Sequence, residues 1–568
     1  MKYKLIGSND YSVDIWQTIA ENRGLESISD ILDISDADVL SPFLLKNMTI
    51  AIEKLIDCMT KGQFIHIIVD SDIDGYTSSA ILYRYLTKGY DINKVTWSIH
   101  SGKQHGIILS ELEEYNFDVL IVPDAGSSDF EQHKILDDSG ITVIVLDHHT
   151  TVEQETTAII VNPQLDDYPN KAISGAGVTY KFCQAIDMKS KCNYAEGLAD
   201  YVALGLVGDM MDTRPKETRF LIKNGIKESK SNLIKSFLDI FEKVDTLSIS
   251  AISYYLAPLI NAVTRVGTDI EKRKMFSAFI KDESEYLQTK NSIVKKKIPI
   301  STIILRELVQ VKERQDDIRD KLIEDFISSI KEQSENAITY YILDNYEHRN
   351  FSGLIAGQLA NDFKKPCFIL ATNKDGSLGG SGRNYEKFPI EELKSYCQKS
   401  TAMNNIGGHE SAFGIGFNNK DKAMEFFNFM NESLSEYAGK IEHIVDFDMN
   451  RKRLSPAIIC KISELKDDYG HGFSEPLILI KDIKLNIKDI TVNQAYTMLK
   501  FNINDKVIGI MFKNVERTFK EMSRIKDFKI TIIGTANLNT YKGTTNYQIF
   551  IDDLELMCYN KEKDDFWF

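Results

Sequence analysis

Cysteine is scarce in this chain and follows no pairing pattern. Seven (Cys58, Cys183, Cys192, Cys367, Cys397, Cys460 and Cys558) are scattered over 568 residues without a C-x-x-C pair. That argues against a disulfide framework or a structural zinc site and suits a reducing compartment. Proline and glycine are sparse, at 11 and 32 residues, which excludes a collagen-like or low-complexity chain. No run approaches the roughly 18 apolar residues that cross a bilayer, so no membrane partner is expected. The opening MKYKLIGSNDYSVDIWQ has no apolar stretch of the kind a signal peptide needs, and a cytoplasmic location is expected. Positive charge is also short: 83 acidic residues against 68 basic ones leave a net charge of −15. This disfavours a protein that coats nucleic acid through an overall positive field. It leaves room for a nuclease with local basic grooves and carboxylates that collect metal ions.

What is present is an ordinary globular composition, 43% hydrophobic and 27% charged, long enough for three or four domains at roughly 150 residues each. Residues 1–60 read as an N-terminal helical segment, because Leu44, Leu45, Met48, Ala51, Ile52 and Leu55 recur at three- and four-residue steps. Residues 61–225 hold four nearly continuous apolar β-runs, FIHIIV (64–69), VLIVP (119–123), ITVIVL (141–146) and AIIVN (158–162). Such runs fit strands buried on both faces. Helical stretches separate the first three, so the pattern predicts an α/β domain with a doubly wound parallel sheet. Residues 226–335 read as a helical connector that includes the charged run STIILRELVQVKERQDDIRDKLIEDFISSIK. YYILD and CFIL flank the helix-like GLIAGQLANDF, a second α/β unit over 336–450. Residues 455–568 carry LILIKDIKL, KVIGIMF, FKITIIGTANL and NYQIFIDDLEL. Four or five strands there predict a small β-barrel of OB type.

The acids fall where chemistry would be expected. The first β-run ends in Asp70-Ser71-Asp72-Ile73-Asp74-Gly75, the second at Asp124 and the third at Asp147-His148-His149. In an open parallel sheet these carboxyl ends share the edge where ligands bind. Five aspartates and two histidines aimed at one crevice repel one another unless cations neutralise them. Oxygen ligands with imidazole suit Mn2+ or Mg2+. D-S-D-I-D-G also opens an EF-hand calcium loop, but its twelfth position is Ile81 rather than Glu, and a strand precedes it. A lone strand-end Asp is most often a helix cap, and Ser128 and Asp129 read as caps. His66 and His133 read as packing or surface histidines.

D-x-D-x-D-G, an isolated Asp after the next strand and D-H-H after the third resemble successive motifs of the DHH phosphoesterase superfamily. LGLVGDMMDTR follows, with Asp209 at the family's metal-ligand position. NPQLDDYP…SGAGVTYKF, YYLAPLINAVTR (Pro258, Asn261, Ala262, Arg265), GLIAGQLANDFKKP, GGSGRN, GGHESAFG and YGHGFSEPLI resemble, in order, elements of the RecJ family of single-strand-specific exonucleases. There are departures. SIHSGKQHGI lacks the family's Arg and Gly-Tyr-Gly, FSEP (473–476) replaces its Asn-Pro-Glu-Pro, and the second motif reads PDAGSS.

The resemblance implies a metal-dependent 5′→3′ exonuclease that degrades single-stranded DNA to 5′-mononucleotides in repair, recombination or replication. Two cations about 3.5–4 Å apart supply charge neutralisation and an activated water for such hydrolysis. Carried over residue by residue, Asp124 bridges the pair, Asp70 and Asp72 complete one ion, and Asp74, His148 and Asp209 complete the other. His149 faces the scissile phosphate, and Asp147 orients the loop or an imidazole. Ser381 and Arg383 bind the terminal 5′-phosphate, with Arg265 and His409 near the substrate. Tyr541, Lys542 and Tyr547 are candidates for stacking and backbone contact; Lys295, Lys296 and Lys297 are a basic run read as solvated. A single-strand-binding protein or a helicase is a candidate partner. The alternatives are another DHH enzyme, acting on oligoribonucleotides or cyclic dinucleotides, and a non-catalytic DNA-binding replication factor.

Overall fold

Apolar β-branched runs bounded by polar turns become the strands of a five-stranded sheet, all of whose pairings are parallel. In spatial order its strands are Val95–Ile99, Ile65–Val69, Val119–Pro123, Thr142–Leu146 and Ile159–Val161. This computed structural model describes residues 2–558 apart from 13, 103, 166, 228, 230, 242, 243, 245, 282–285, 289–296, 440, 441, 526 and 542. The chain divides into two compact units, one of residues 29–316 and 467–474, the other of residues 1–28, 317–466 and 475–568.

In the first unit, Ile65–Val69 and Val119–Pro123 are buried throughout, as the continuous apolar runs predict. The edge strand Val95–Ile99 was not among the sequence expectations. Val95 and Ser98 are buried and the other three residues only partly covered, and VTWSI lacks the unbroken apolar run that marks a doubly covered strand. The order reverses between Ile65–Val69 and Val119–Pro123, because the chain leaves the first for the edge and returns past it. Such a switch point opens a crevice at the carboxyl ends of the two strands. Helices Ile73–Gly89, Gly175–Ser190 and Ala199–Gly208 each bury most of their residues in the surrounding core. The helix Met48–Thr60 buries Met48, Ala51, Ile52, Leu55 and Cys58 on one face. Leu44, expected on that face, is instead an exposed residue of the preceding turn. Helices Ala257–Val266 and Asp269–Ile280 follow, and the expected long helix runs from Ile300 to Glu332.

The second unit contains a mixed five-stranded sheet in the order Asn405–Gly408, Ala412–Phe417, Leu378–Arg383, Cys367–Thr372, Thr339–Leu343. The helix Ser352–Phe363 lies in sequence between its two parallel strands. A seven-stranded sheet follows, in which Ile478–Asn486, Asp527–Tyr541 and Thr544–Cys558 pair antiparallel in succession. Register shifts at Ile480/Ile483 and Ile533/Gly534 add the local twist that coils a sheet. The strand Lys2–Leu5 pairs in parallel with Glu442–Val445, a long-range partnership that no local pattern announces. No disulfide occurs among the described cysteines, and no helix among the described residues is long and apolar enough to cross a membrane.

Candidate metal centre

The strand-end aspartates sit at the switch point, and each is fixed by a different local device. Asp72 caps the helix Ile73–Gly89, accepting the Gly75 amide at 3.0 Å. Asp74, one residue into that helix, lies at the start of the helix Gly175–Ser190 and accepts Ser174 Oγ at 2.8 Å and the amides of Gly175 and Ala176 at 2.6 and 3.1 Å. A carboxylate at a helix start satisfies orphan N–H donors and is favoured by the helix dipole. Asp124 follows its strand in the left-handed region, φ 66°, which Asp tolerates better than most residues. Two glycines permit the crowding. A Cβ on Gly175 would stand 2.5 Å from Asp124 Oδ1, and one on Gly205 would stand 2.3 Å from Asp74 Oδ1.

His148 Nε2 faces three of these carboxylates, at 3.2 Å from Asp124 Oδ1, 3.4 Å from Asp209 Oδ2 and 3.7 Å from Asp74 Oδ2. None of these contacts is a hydrogen bond: His148 Nε2, both Asp124 oxygens and Asp209 Oδ2 are buried without a hydrogen-bond partner. Buried polar atoms rarely stay unsatisfied, and a ring of acceptors around a lone pair is the donor set of a cation. Burial pushes the Asp124 carboxyl well above its ordinary range, and the charges of Asp74, Asp72, Asp70 and Asp209 push it further. Asp209 is raised for the same reason, burial first and then Asp74 and Asp72. Burial lowers His148, which leaves the imidazole neutral and able to ligate.

Three groups of ligand atoms lie within 4.8 Å of one another: Asp74 with His148 and Asp209; Asp124 with His148 and His149; Asp70 with Asp72 and His105. The first is the trio the resemblance implied for one cation. In the third, Asp70 and Asp72 come together as expected, and His105 joins them without having been anticipated. Asp70 is held above its ordinary value by burial, with His105 pulling it back. The residues present fit a pair of oxygen-preferring divalent cations with imidazole in the ligand set.

Asp147 is not among these groups. Its Oδ1 accepts the amides of His148 and His149 at 2.7 and 3.1 Å and His149 Nδ1 at 2.8 Å, and its Oδ2 accepts the Ser127 amide at 3.1 Å. Burial alone would raise this carboxyl, but His149 and these donors hold it below the ordinary range. Burial works against the His149 imidazolium, yet Asp147, Asp209 and Asp72 draw its pKa up to about 9. Its side chain is 52% exposed, so a proton-bearing imidazole reaches solvent beside the cluster. Arg265 closes the helix Ala257–Val266; burial lowers its pKa, against the attraction of Asp72.

In the other unit, Ser381 and Arg383 occupy the strand Leu378–Arg383 beside the start of the helix Ser352–Phe363. Ser381 Oγ lies 3.1 Å from Ser352 Oγ, and a Cβ on Gly353 would stand 2.7 Å from Arg383 Nη2. Hydroxyls and a guanidinium beside a helix N-terminus are groups suited to an anion. His409 is exposed in the turn joining Asn405–Gly408 to Ala412–Phe417.

Several other expectations resolve plainly. His66 and His133 are buried, hydrogen-bonded to Thr96 and Ser98 and to Thr156 respectively. Asp129 stands at a helix N-cap position, but its side chain accepts the Ile107 amide instead of capping, and Ser128 Oγ meets Thr151 Oγ1. Tyr547 is half-buried in a strand. Lys295, Lys296 and Lys542 lie outside the described residues.

A parallel sheet with such groups of ligand atoms at its switch point is the architecture of a metal-binding phosphoesterase domain. Known proteins agree: the model for the DHH family N-terminal domain matches residues 64–206, that for the DHHA1 domain residues 334–436, and that for the RecJ OB domain residues 445–553. YorK, an SPbeta prophage-derived protein of Bacillus subtilis strain 168 named for single-strand DNA-specific exonuclease activity, is 33% identical over 575 residues and 98% of each chain. The single-stranded-DNA-specific exonuclease RecJ of the same strain is 20% identical over 556 residues, 93% of this chain and 66% of that protein. The crystal structure of RecJ from Thermus thermophilus in complex with Mn2+ superimposes with a TM-score of 0.71 at 19% identity, covering 95% of this chain and 75% of that one. The chain belongs to the RecJ family of single-stranded-DNA-specific exonucleases.

Proposed function

We propose that this protein is a cation-dependent exonuclease that removes 5′-mononucleotides from single-stranded DNA in the 5′→3′ direction. The observation that carries the reading is the set of buried, hydrogen-bond-free ligand atoms on Asp124, His148 and Asp209, with Asp70 and Asp72 grouped beside them. Mn2+ or Mg2+ is the cation the reading calls for, and RecJ of Thermus thermophilus has been crystallised with each. Bound there, such ions supply charge neutralisation on the phosphoryl oxygens and a more acidic water.

The side chains divide the remaining work. Asp124 would be shared between the two ions; Asp70 and Asp72 would hold one, and Asp74, His148 and Asp209 the other. Asp147 holds the Asp-His-His loop and keeps His149 protonated. His149 then donates to the scissile phosphate or the departing oxygen. Arg265 and His409 act on the substrate. Ser381 and Arg383 take the terminal 5′-phosphate, which selects the end and so the polarity. Residues 61–225 thus carry the chemistry, 336–450 the strand end and 455–568 the strand, with 1–60 and 226–335 as helical supports. The cytoplasm is the proposed location, and a single-strand-binding protein or a helicase the proposed protein partner.

Rates measured with Mn2+ on single-stranded DNA, duplex DNA, pyrophosphate and a cyclic dinucleotide test this reading. Single-stranded DNA is expected to be the preferred substrate by a wide margin; a preference for either small molecule would assign the centre to a different DHH chemistry.

A further inference from the structure

In the segment that departs from the family pattern, the described residues His100, Ser101, Gly102 and His105 are built into the centre. Lys272, itself buried, donates from Nζ to the carbonyl oxygens of His100, Ser101 and Gly102, each at 3.3 Å. Ser71 Oγ donates to the Gly102 carbonyl at 3.3 Å. Glu111 accepts the Ser101 amide and hydroxyl at 3.0 and 2.7 Å and meets His100 Nδ1 at 2.7 Å. Just beyond His105, Asp129 accepts the Ile107 amide at 2.7 Å. Polar anchors therefore fix both flanks of His105.

So held, His105 sets Nδ1 2.5 Å from Asp70 Oδ2 and groups with Asp70 and Asp72 as a set of possible ligands. A second observation marks the same spot. Asp70 is 1% exposed, yet its Oδ1 has no hydrogen-bond partner, and neither has His100 Nε2, which stands 3.7 Å away. The Asp70 carboxylate thus keeps an acceptor pair for a cation while its other oxygen faces an imidazole.

We propose that His105 ligates the cation of the Asp70–Asp72 group through Nδ1, so that each of the two ions has an imidazole ligand, His105 on one and His148 on the other. The inference rests on the two-cation reading above. An imidazole strengthens binding of Mn2+, Co2+ and other transition ions more than that of Mg2+, which prefers oxygen donors and its own waters. The substitution of a ring nitrogen by an amide oxygen should consequently change metal preference and not merely metal affinity. A His105 that only hydrogen-bonds Asp70 would affect both metals alike.

Calorimetric titration of the full-length protein with Mn2+ and, separately, with Mg2+ tests this, using wild type, His105→Asn, His105→Gln and, as a comparator for the other ion, Asp74→Asn. Wild type is expected to bind two Mn2+. In both His105 variants one Mn2+ affinity should fall by at least about tenfold, while Mg2+ affinities stay within about twofold. Equal losses for both metals, or two Mn2+ bound as in wild type, would overturn the ligand assignment and leave the two-cation reading standing. A wild-type protein that binds no Mn2+ would overturn both. His105 is half exposed, and circular dichroism of each variant confirms that the fold is kept.

Discussion

At the scale of single residues, Asp124 concentrates the physics of the centre. It is buried, faces four other carboxylates, and has neither oxygen hydrogen-bonded. Without a cation it destabilises the fold that holds it; a bound cation would relieve that repulsion. Asp124→Asn keeps the shape and tolerates the same left-handed backbone. Its hydrolysis is expected to fall by at least about a hundredfold, while in EDTA it melts above wild type by an amount worth ~1 kcal/mol. Thermal melts with and without Mn2+, read beside activity, check both halves; a variant that melts lower in EDTA would contradict the repulsion argument. Asp70, Asp72, Asp74, Asp124 and His148 were legible because strand ends in a parallel sheet share an edge, and Asp209 through its motif alone. His105 was not, since its approach depends on Lys272, Glu111 and Asp129, of which Lys272 lies some 170 residues along the chain from the loop and none carries a motif.

At the scale of elements, strands and helices were legible where burial is two-sided or strongly periodic. The strand Val95–Ile99 was missed because an edge strand shows neither pattern, and Lys2–Leu5 because its partner lies more than 400 residues along the chain. His66 joins the missed strand to its neighbour: its ring nitrogens meet Thr96 Oγ1 at 2.8 Å and Ser98 Oγ at 2.9 Å. Burial lowers its pKa to about 4 from an ordinary 6.5. The unfolded chain therefore binds the proton more readily, and this group destabilises the fold as pH falls from about 6.5 toward 4, by up to ~3 kcal/mol. Denaturant melts at pH 7.5 and 5 should show a smaller pH-dependent loss in His66→Gln than in wild type. Equal losses would show that the buried imidazole is not responsible.

At the scale of the whole molecule, the net charge of −15 looked unfavourable for a DNA-processing protein, but net charge does not locate affinity. Negative side chains gather where cations belong, and Ser381 and Arg383 sit on another sheet in the other compact unit. The tail read as four or five strands and forms part of a seven-stranded sheet; short strands such as Thr491–Val492 lie below what periodicity can detect. The most direct measurement is a time course with Mn2+ on single-stranded DNA labelled at its 5′-phosphate, run beside oligonucleotides blocked at either end. Labelled mononucleotide should appear first, and a bulky 5′ block should slow digestion while a 3′ block does not. Labelled products that shorten gradually from the 3′ side, or no cleavage with Mn2+ present, would contradict a paired-cation centre that hydrolyses DNA from its phosphorylated 5′ end.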